Sequence, residues 1–99
     1  MKYFKDGVEG PVSVRCAEGM LVAAECLRRF GYQLVVTSLR DGKHMDTSLH
    51  YKGLAFDVRT RDMKVQDVPT VVRELRNYLG EGWDVVQEVD HIHVEYDPS

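Results

Sequence analysis

Ser48-Leu49-His50-Tyr51-Lys52-Gly53-Leu54-Ala55-Phe56-Asp57 is the stretch on which the reading of this chain depends. It sets a histidine ahead of an aspartate, with a glycine between them and an apolar run at the end. From Leu54 to Thr60 the residues alternate, with Leu54, Phe56 and Val58 on one face and Ala55, Asp57 and Arg59 on the other. Period-two alternation predicts a half-buried strand whose polar face carries Asp57. The same design returns near the C-terminus. Over His91–Tyr96, Ile92, Val94 and Tyr96 share one face, and His91, His93 and Glu95 share the other. If these strands are neighbours in one antiparallel sheet, Asp57 and His93 converge on its open face. Imidazoles and a carboxylate gathered there suit a zinc ion that keeps one coordination position for water. A histidine and an aspartate at this spacing are common by chance. The second cluster, Asp90-His91-Ile92-His93, is what gives the pair weight.

The remaining segments supply what such a sheet needs to cover its apolar side. Residues 1–12 contain Gly7, Gly10 and Pro11 and read as an extended lead-in. Ser13 is a candidate N-cap for a helix over about 13–30. Its expected apolar stripe is Val14, Ala17, Met20, Leu21, Ala24 and Leu27, with Arg28 and Arg29 at the negative end of the dipole and Gly31 as the C′ residue. Gln33–Thr37 is rich in β-branched residues and reads as a strand. Ser38 to Leu49 contains Asp41-Gly42 and reads as a loop that delivers residues to the site. Arg61–Gln66 reads as a polar connection. Asp67 is placed to cap a second helix with the stripe Val68, Val71, Val72, Leu75 and Leu79, ended by Gly80. Trp83–Val89 is a further strand, with Trp83 read as a core anchor. The expected fold is α+β: an antiparallel sheet with helices on one face and the zinc site on the other.

Composition limits the alternatives. Ninety-nine residues suit one domain, 1–99, with one core. A formal charge of −3 is not the basic footprint of a nucleic-acid binder. No apolar run approaches the roughly 20 residues of a membrane span, so neither nucleic acid nor membrane is an expected partner. Met1–Gly7 has no apolar core of a leader peptide, so synthesis in the cytoplasm without a signal peptide is expected. Cys16 and Cys26 on one helix stand about 15 Å apart along its axis at ~1.5 Å per residue. A disulfide needs Cα atoms within about 7 Å, so both are expected to remain thiols, as a reducing compartment would keep them.

Ser48-x-His50-x-x-Gly53-x-Ala55-x-Asp57 resembles the signature of the zinc D-alanyl-D-alanine carboxypeptidases and L-alanyl-D-glutamate endopeptidases that cut bacterial cell-wall peptides. Asp90-His91-Ile92-His93-Val94-Glu95 is similar to that family's second metal motif, and Thr37-Ser38-Leu39-Arg40 to its serine-and-arginine segment. The likeness covers roughly residues 33–97. It implies the hedgehog/DD-peptidase fold, one zinc per chain, and a peptidoglycan stem peptide as substrate. It also implies a monomer of the small phage-type kind, which acts on the wall after release or as part of a virion. His50, Asp57 and His93 would be the zinc ligands. Arg40 would stabilise developing charge or hold a substrate carboxylate, and Ser48 would contact substrate. The general base stays open between two residues. The acid before the last ligand is Asp90, whereas other branches of the fold use the first histidine of a His-x-His pair, here His91. Strand alternation favours His91 and the family pattern favours Asp90; the latter is given more weight, with Glu88 a weaker third. His44 matches no family role and reads as an exposed loop residue. The alternative function is a non-catalytic zinc-binding interaction module of the same fold, against which the retained base and Arg40 argue. An intracellular D-Ala-D-Ala dipeptidase would differ in substrate alone.

Overall fold

The computed structural model describes residues 14–40 and 55–97, with Arg40 represented by its backbone. In chain order it contains helix α1 (Val14–Arg29), strand β1 (Val36–Arg40), strand β2 (Ala55–Arg59), a 3₁₀ turn (Val65–Asp67), helix α2 (Val68–Leu79), strand β3 (Trp83–Gln87) and strand β4 (His91–Tyr96). The strands form one antiparallel sheet in the order β1-β2-β4-β3. The described residues form a small α+β fold with two helices and a four-stranded antiparallel sheet. No helix among the described residues is long and apolar enough to cross a membrane.

Alternation along the central strands builds the core. Phe56 and Val58 of β2, Ile92 and Val94 of β4 and Val85 of β3 are buried with residues from both helices in one apolar cluster. Strands β2 and β4 are neighbours, the condition for Asp57 and His93 to converge, and Asp57 stands directly opposite His93. From α2 the cluster takes Val71, Val72 and Leu75, as the stripe predicts. Gly80 ends α2 with a positive φ of 82°, its N–H donating to the Arg76 carbonyl. Along the outer edge of β3, Arg76 donates from Nε and Nη2 to the Val85 carbonyl at 3.1 and 2.8 Å. That contact occupies a backbone acceptor which an exposed sheet edge would otherwise offer to a foreign strand.

Helix α1 differs from its expected orientation. The buried face is Cys16, Gly19, Met20, Ala23, Cys26 and Leu27, whereas Val14 and Leu21 are 78% and 67% exposed. The cause lies on β3. A Cβ placed on Gly19 would stand 2.3 Å from Cη2 of Trp83, so the indole rests where a side chain would otherwise be. Trp83 thus acts as the expected packing anchor. Its ring also lies edge-on to Phe56, with centroids 6.5 Å apart, and 5.2 Å from Tyr96. Arg15 reaches over the Tyr96 ring at 5.0 Å. A large ring selects the face of small residues, and the helix rotates to present it. The C-terminus of α1 follows expectation. Gly31 has φ 85°, its N–H donates to the Arg28 carbonyl, and the Tyr32 N–H donates to that of Leu27, a complete Schellman pattern.

Three further segments differ from expectation. The first strand runs over Val36–Arg40 rather than Gln33–Thr37, because Leu39 and Arg40 pair with Phe56 and Ala55 across an irregularity between Val36 and Ser38. Pairing with β2 overrides the weak strand preference of these residues. The connection over 61–66 is not wholly polar, since Met63 is buried in the core. β3 ends at Gln87 rather than Val89, where the Glu88 N–H donates to the His91 carbonyl and closes a hairpin. Asp67 stands at the N-cap of α2 without a side-chain bond to the backbone; its carboxylate accepts from the Tyr32 hydroxyl at 2.5 Å.

Candidate functional site

The sheet face away from the helices carries the candidate site residues. Ser38 of β1, Asp57 of β2, His93 of β4 and Val86 of β3 lie in one row across the strands. Arg59 lies opposite His91 on one side of this row, and Ala55 opposite Glu95 on the other. The backbone of Arg40 pairs with Ala55, one row from Asp57. Period-two geometry therefore sets Asp57, His91, His93 and Glu95 on a common surface.

Asp57 is 7% exposed, the one buried charged residue among those described. Strand β2 was expected to be half-buried, yet Ala55 through Val58 are all covered. An ionised carboxylate at such a position needs partners. Among the described residues it has two: Oδ1 lies 2.8 Å from His93 Nδ1, and Oδ2 lies 3.8 Å from His91 Nε2. The other nitrogen of His93 faces Glu95, with Nε2 3.0 Å from Oε1. An imidazole can donate from both nitrogens only when protonated. Burial disfavours that charge on His93, but the bonds to Glu95 and Asp57 outweigh it, and the pKa is raised above the usual histidine value.

Asp90 lies in the β3–β4 hairpin with its side chain 87% exposed, and its Oδ1 is 2.7 Å from His91 Nδ1. That hydrogen bond is the main reason its pKa is lowered from the ordinary carboxylate value. With Nδ1 so engaged, the Nε2 of His91 is the nitrogen turned to Asp57.

Of the residues expected at the site, Asp57, Asp90, His91 and His93 are brought together, and Arg40 is placed by its backbone in the adjoining row. His50, Ser48 and His44 lie outside the described residues. Glu88 sits at the start of the hairpin. Two features were not singled out from sequence. Glu95 contacts His93, a pairing that its i+2 spacing on the strand could have signalled. Arg59 and Arg61 line the open depression of about 440 Å³ that contains Asp57, Asp90 and His91.

The donor chemistry fits zinc in part. Among the described residues no three His, Cys, Asp or Glu side chains are gathered as a donor set. Asp57 and His93 supply a carboxylate oxygen and an imidazole nitrogen, both ordinary zinc donors. Two donors of a tetrahedral zinc stand about 3.3 Å apart, so their 2.8 Å hydrogen bond has to open by a few tenths of an ångström and lose its proton. Compared with models of known protein families and with curated protein sequences, the chain matches none.

Proposed function

We propose that this chain is a zinc-dependent peptidase that hydrolyses peptide bonds in the stem peptides of bacterial peptidoglycan. The observation that carries the reading is the Asp57–His93 contact across β2 and β4. The two motifs that resemble the cell-wall peptidases each contribute one expected ligand to the same point on the sheet. Asp57, His93 and, from the neighbouring segment, His50 would hold the ion. When bound, zinc polarises the scissile carbonyl and lowers the pKa of a water.

The protein's own groups divide the remaining work. The Nε2 of His91, turned toward Asp57, would take the proton of the attacking water and return it to the leaving amine. Asp90 holds the Nδ1 proton and so keeps Nε2 free to accept. The family pattern favours Asp90 itself as the base. The 2.7 Å bond to His91 and the exposure of the Asp90 carboxylate support the reverse division, with His91 moving the proton and Asp90 positioning it. Glu95 fixes the second nitrogen of His93, as outer carboxylates do for metal-bound imidazoles. Arg40, one row from Asp57, is assigned to the oxyanion or to a substrate carboxylate, and Ser48 to substrate contact.

Digestion of purified peptidoglycan with mass spectrometry of the fragments tests the reading. Cleavage at L-Ala–D-Glu or at a D-Ala terminus, with glycan strands intact, is expected. New reducing sugar ends, or no released peptide from zinc-loaded protein, would overturn it.

A further inference from the structure

The depression beside His91 does not stop at the proposed catalytic groups. A second one, of about 340 Å³, adjoins it, and Arg61 and Asp90 line both. Met63, Val65, Val68 and Val89 form the apolar part of its wall, and Thr60, Arg61, Gln87, Glu88 and Asp90 the polar part. Two of these face solvent outright, Val65 at 84% exposure in the 3₁₀ turn and Val89 at 104% at the hairpin tip. A single exposed valine needs no explanation. Two that line one depression, continuous with a site, call for one.

Arg61 marks the junction, and among the described residues its guanidinium forms no ion pair. Arg15 pairs with Glu18, Arg28 and Arg29 with Glu25, Arg59 with Asp62 and Arg73 with Glu74, while Arg76 donates to the Val85 carbonyl. Among the arginines whose side chains are described, Arg61 has no such acceptor. A guanidinium presents a planar fork suited to a carboxylate. The surroundings limit the charge it can take. Asp57 and Asp90 line the same depression and Glu88 the next, so a polyanion would be repelled while one carboxylate is matched by one guanidinium.

We propose that the second depression is a substrate subsite, in which Arg61 holds a carboxylate of the peptide and the walls at Val65 and Val89 receive an adjacent alkyl side chain. This inference rests on the peptidase reading above. The carboxylate has two possible sources, the peptide's C-terminus or an acidic side chain, and the test separates them.

A cleavable stem-type peptide is compared with its C-terminal amide and with a version whose side-chain carboxylate is a carboxamide, using the full chain loaded with zinc. One of the two neutralisations is expected to raise KM about 10-fold or more in the wild type, on the usual scale of a hydrogen bond to a charged group, with kcat little changed. Arg61→Gln should raise KM for the charged peptide by a similar factor and lose sensitivity to that neutralisation. Arg61→Lys should recover part of the affinity. Shortening the peptide's alkyl side chain should cost the wild type more than Val65→Ser. If the wild type cleaves the peptides but neither neutralisation changes KM, or Arg61→Gln matches the wild type, the subsite is refuted and the peptidase reading stands. If the wild type cleaves none of them, the peptidase reading fails and the subsite with it.

Discussion

Replacing Gly19 by alanine tests how α1 is docked, because the sign of the effect depends on one ring. In an open helical position the change stabilises by about 1 kcal/mol, since alanine costs less conformational entropy. Here the new Cβ would meet Trp83 at 2.3, 2.8 and 2.9 Å. Carbon atoms prefer about 3.5–4.0 Å, so the indole edge has to retreat by more than 1 Å. It is hemmed by Phe56 and Tyr96, with ring centroids at 6.5 and 5.2 Å. Overpacking of this kind costs about 1–3 kcal/mol. Set against the helix gain, Gly19→Ala should be neutral to destabilising by about 2 kcal/mol. For a domain of this size that is a fall in Tm of up to about 10 °C, measured by thermal denaturation followed by circular dichroism. The three crowded atoms belong to the six-membered ring of the indole. In a Trp83→Phe background the conflict should relax, and Gly19→Ala should become neutral or stabilising. If Gly19→Ala raises Tm by about 5 °C in the wild-type background, the indole does not cover Gly19 and the described face of α1 is wrong.

Three other outcomes are expected. Protein purified without added metal should carry one zinc per chain, and His50→Ala, Asp57→Ala or His93→Ala should each lose it; full occupancy in His93→Ala, read by elemental analysis, would refute the ligand assignment. His91→Gln should keep zinc and lose about 10²-fold or more in turnover, the scale of a general base, while Asp90→Asn should cost less. Turnover near wild type in His91→Gln beside an inactive, zinc-bound Asp90→Asn would reverse those roles. Burial pushes the thiols of Cys16 and Cys26 up to about 11, against about 8.5 for an unfolded cysteine. Both therefore bind their protons more tightly in the native state, and this contribution to stability is present below about pH 8.5 and lost as pH rises through about 11. At about pH 8 a disulfide reagent should label the native protein far more slowly than the protein in guanidinium chloride, and equal rates would show that the α1 face is open.

Much of the arrangement of the candidate site is legible in the sequence, because period-two alternation does not depend on distant contacts. Apart from Ala55 and Thr60, the residues of 54–60 and 91–96 divide into an aliphatic or aromatic set and a polar set, and a covered sheet has one way to bury the first. That put Asp57 and His93 on the same open face, where they are neighbours in register. The α2 stripe and the glycine stops at Gly31 and Gly80 were likewise readable, since they express local preference for helix and left-handed backbone. What the sequence could not decide were choices made by a partner. The buried side of α1 was set by Trp83, far along the chain, whose ring needs the space at Gly19 more than the core needs Val14 or Leu21. The strand at Ser38–Arg40 exists because β2 offers it hydrogen bonds, not because its residues favour extension. The partner of Asp90 depended on where the β3–β4 hairpin closes, and the bond from Glu88 to His91 sets that point. Local periodicity assigns a side chain to a face, and packing between elements decides what that face meets.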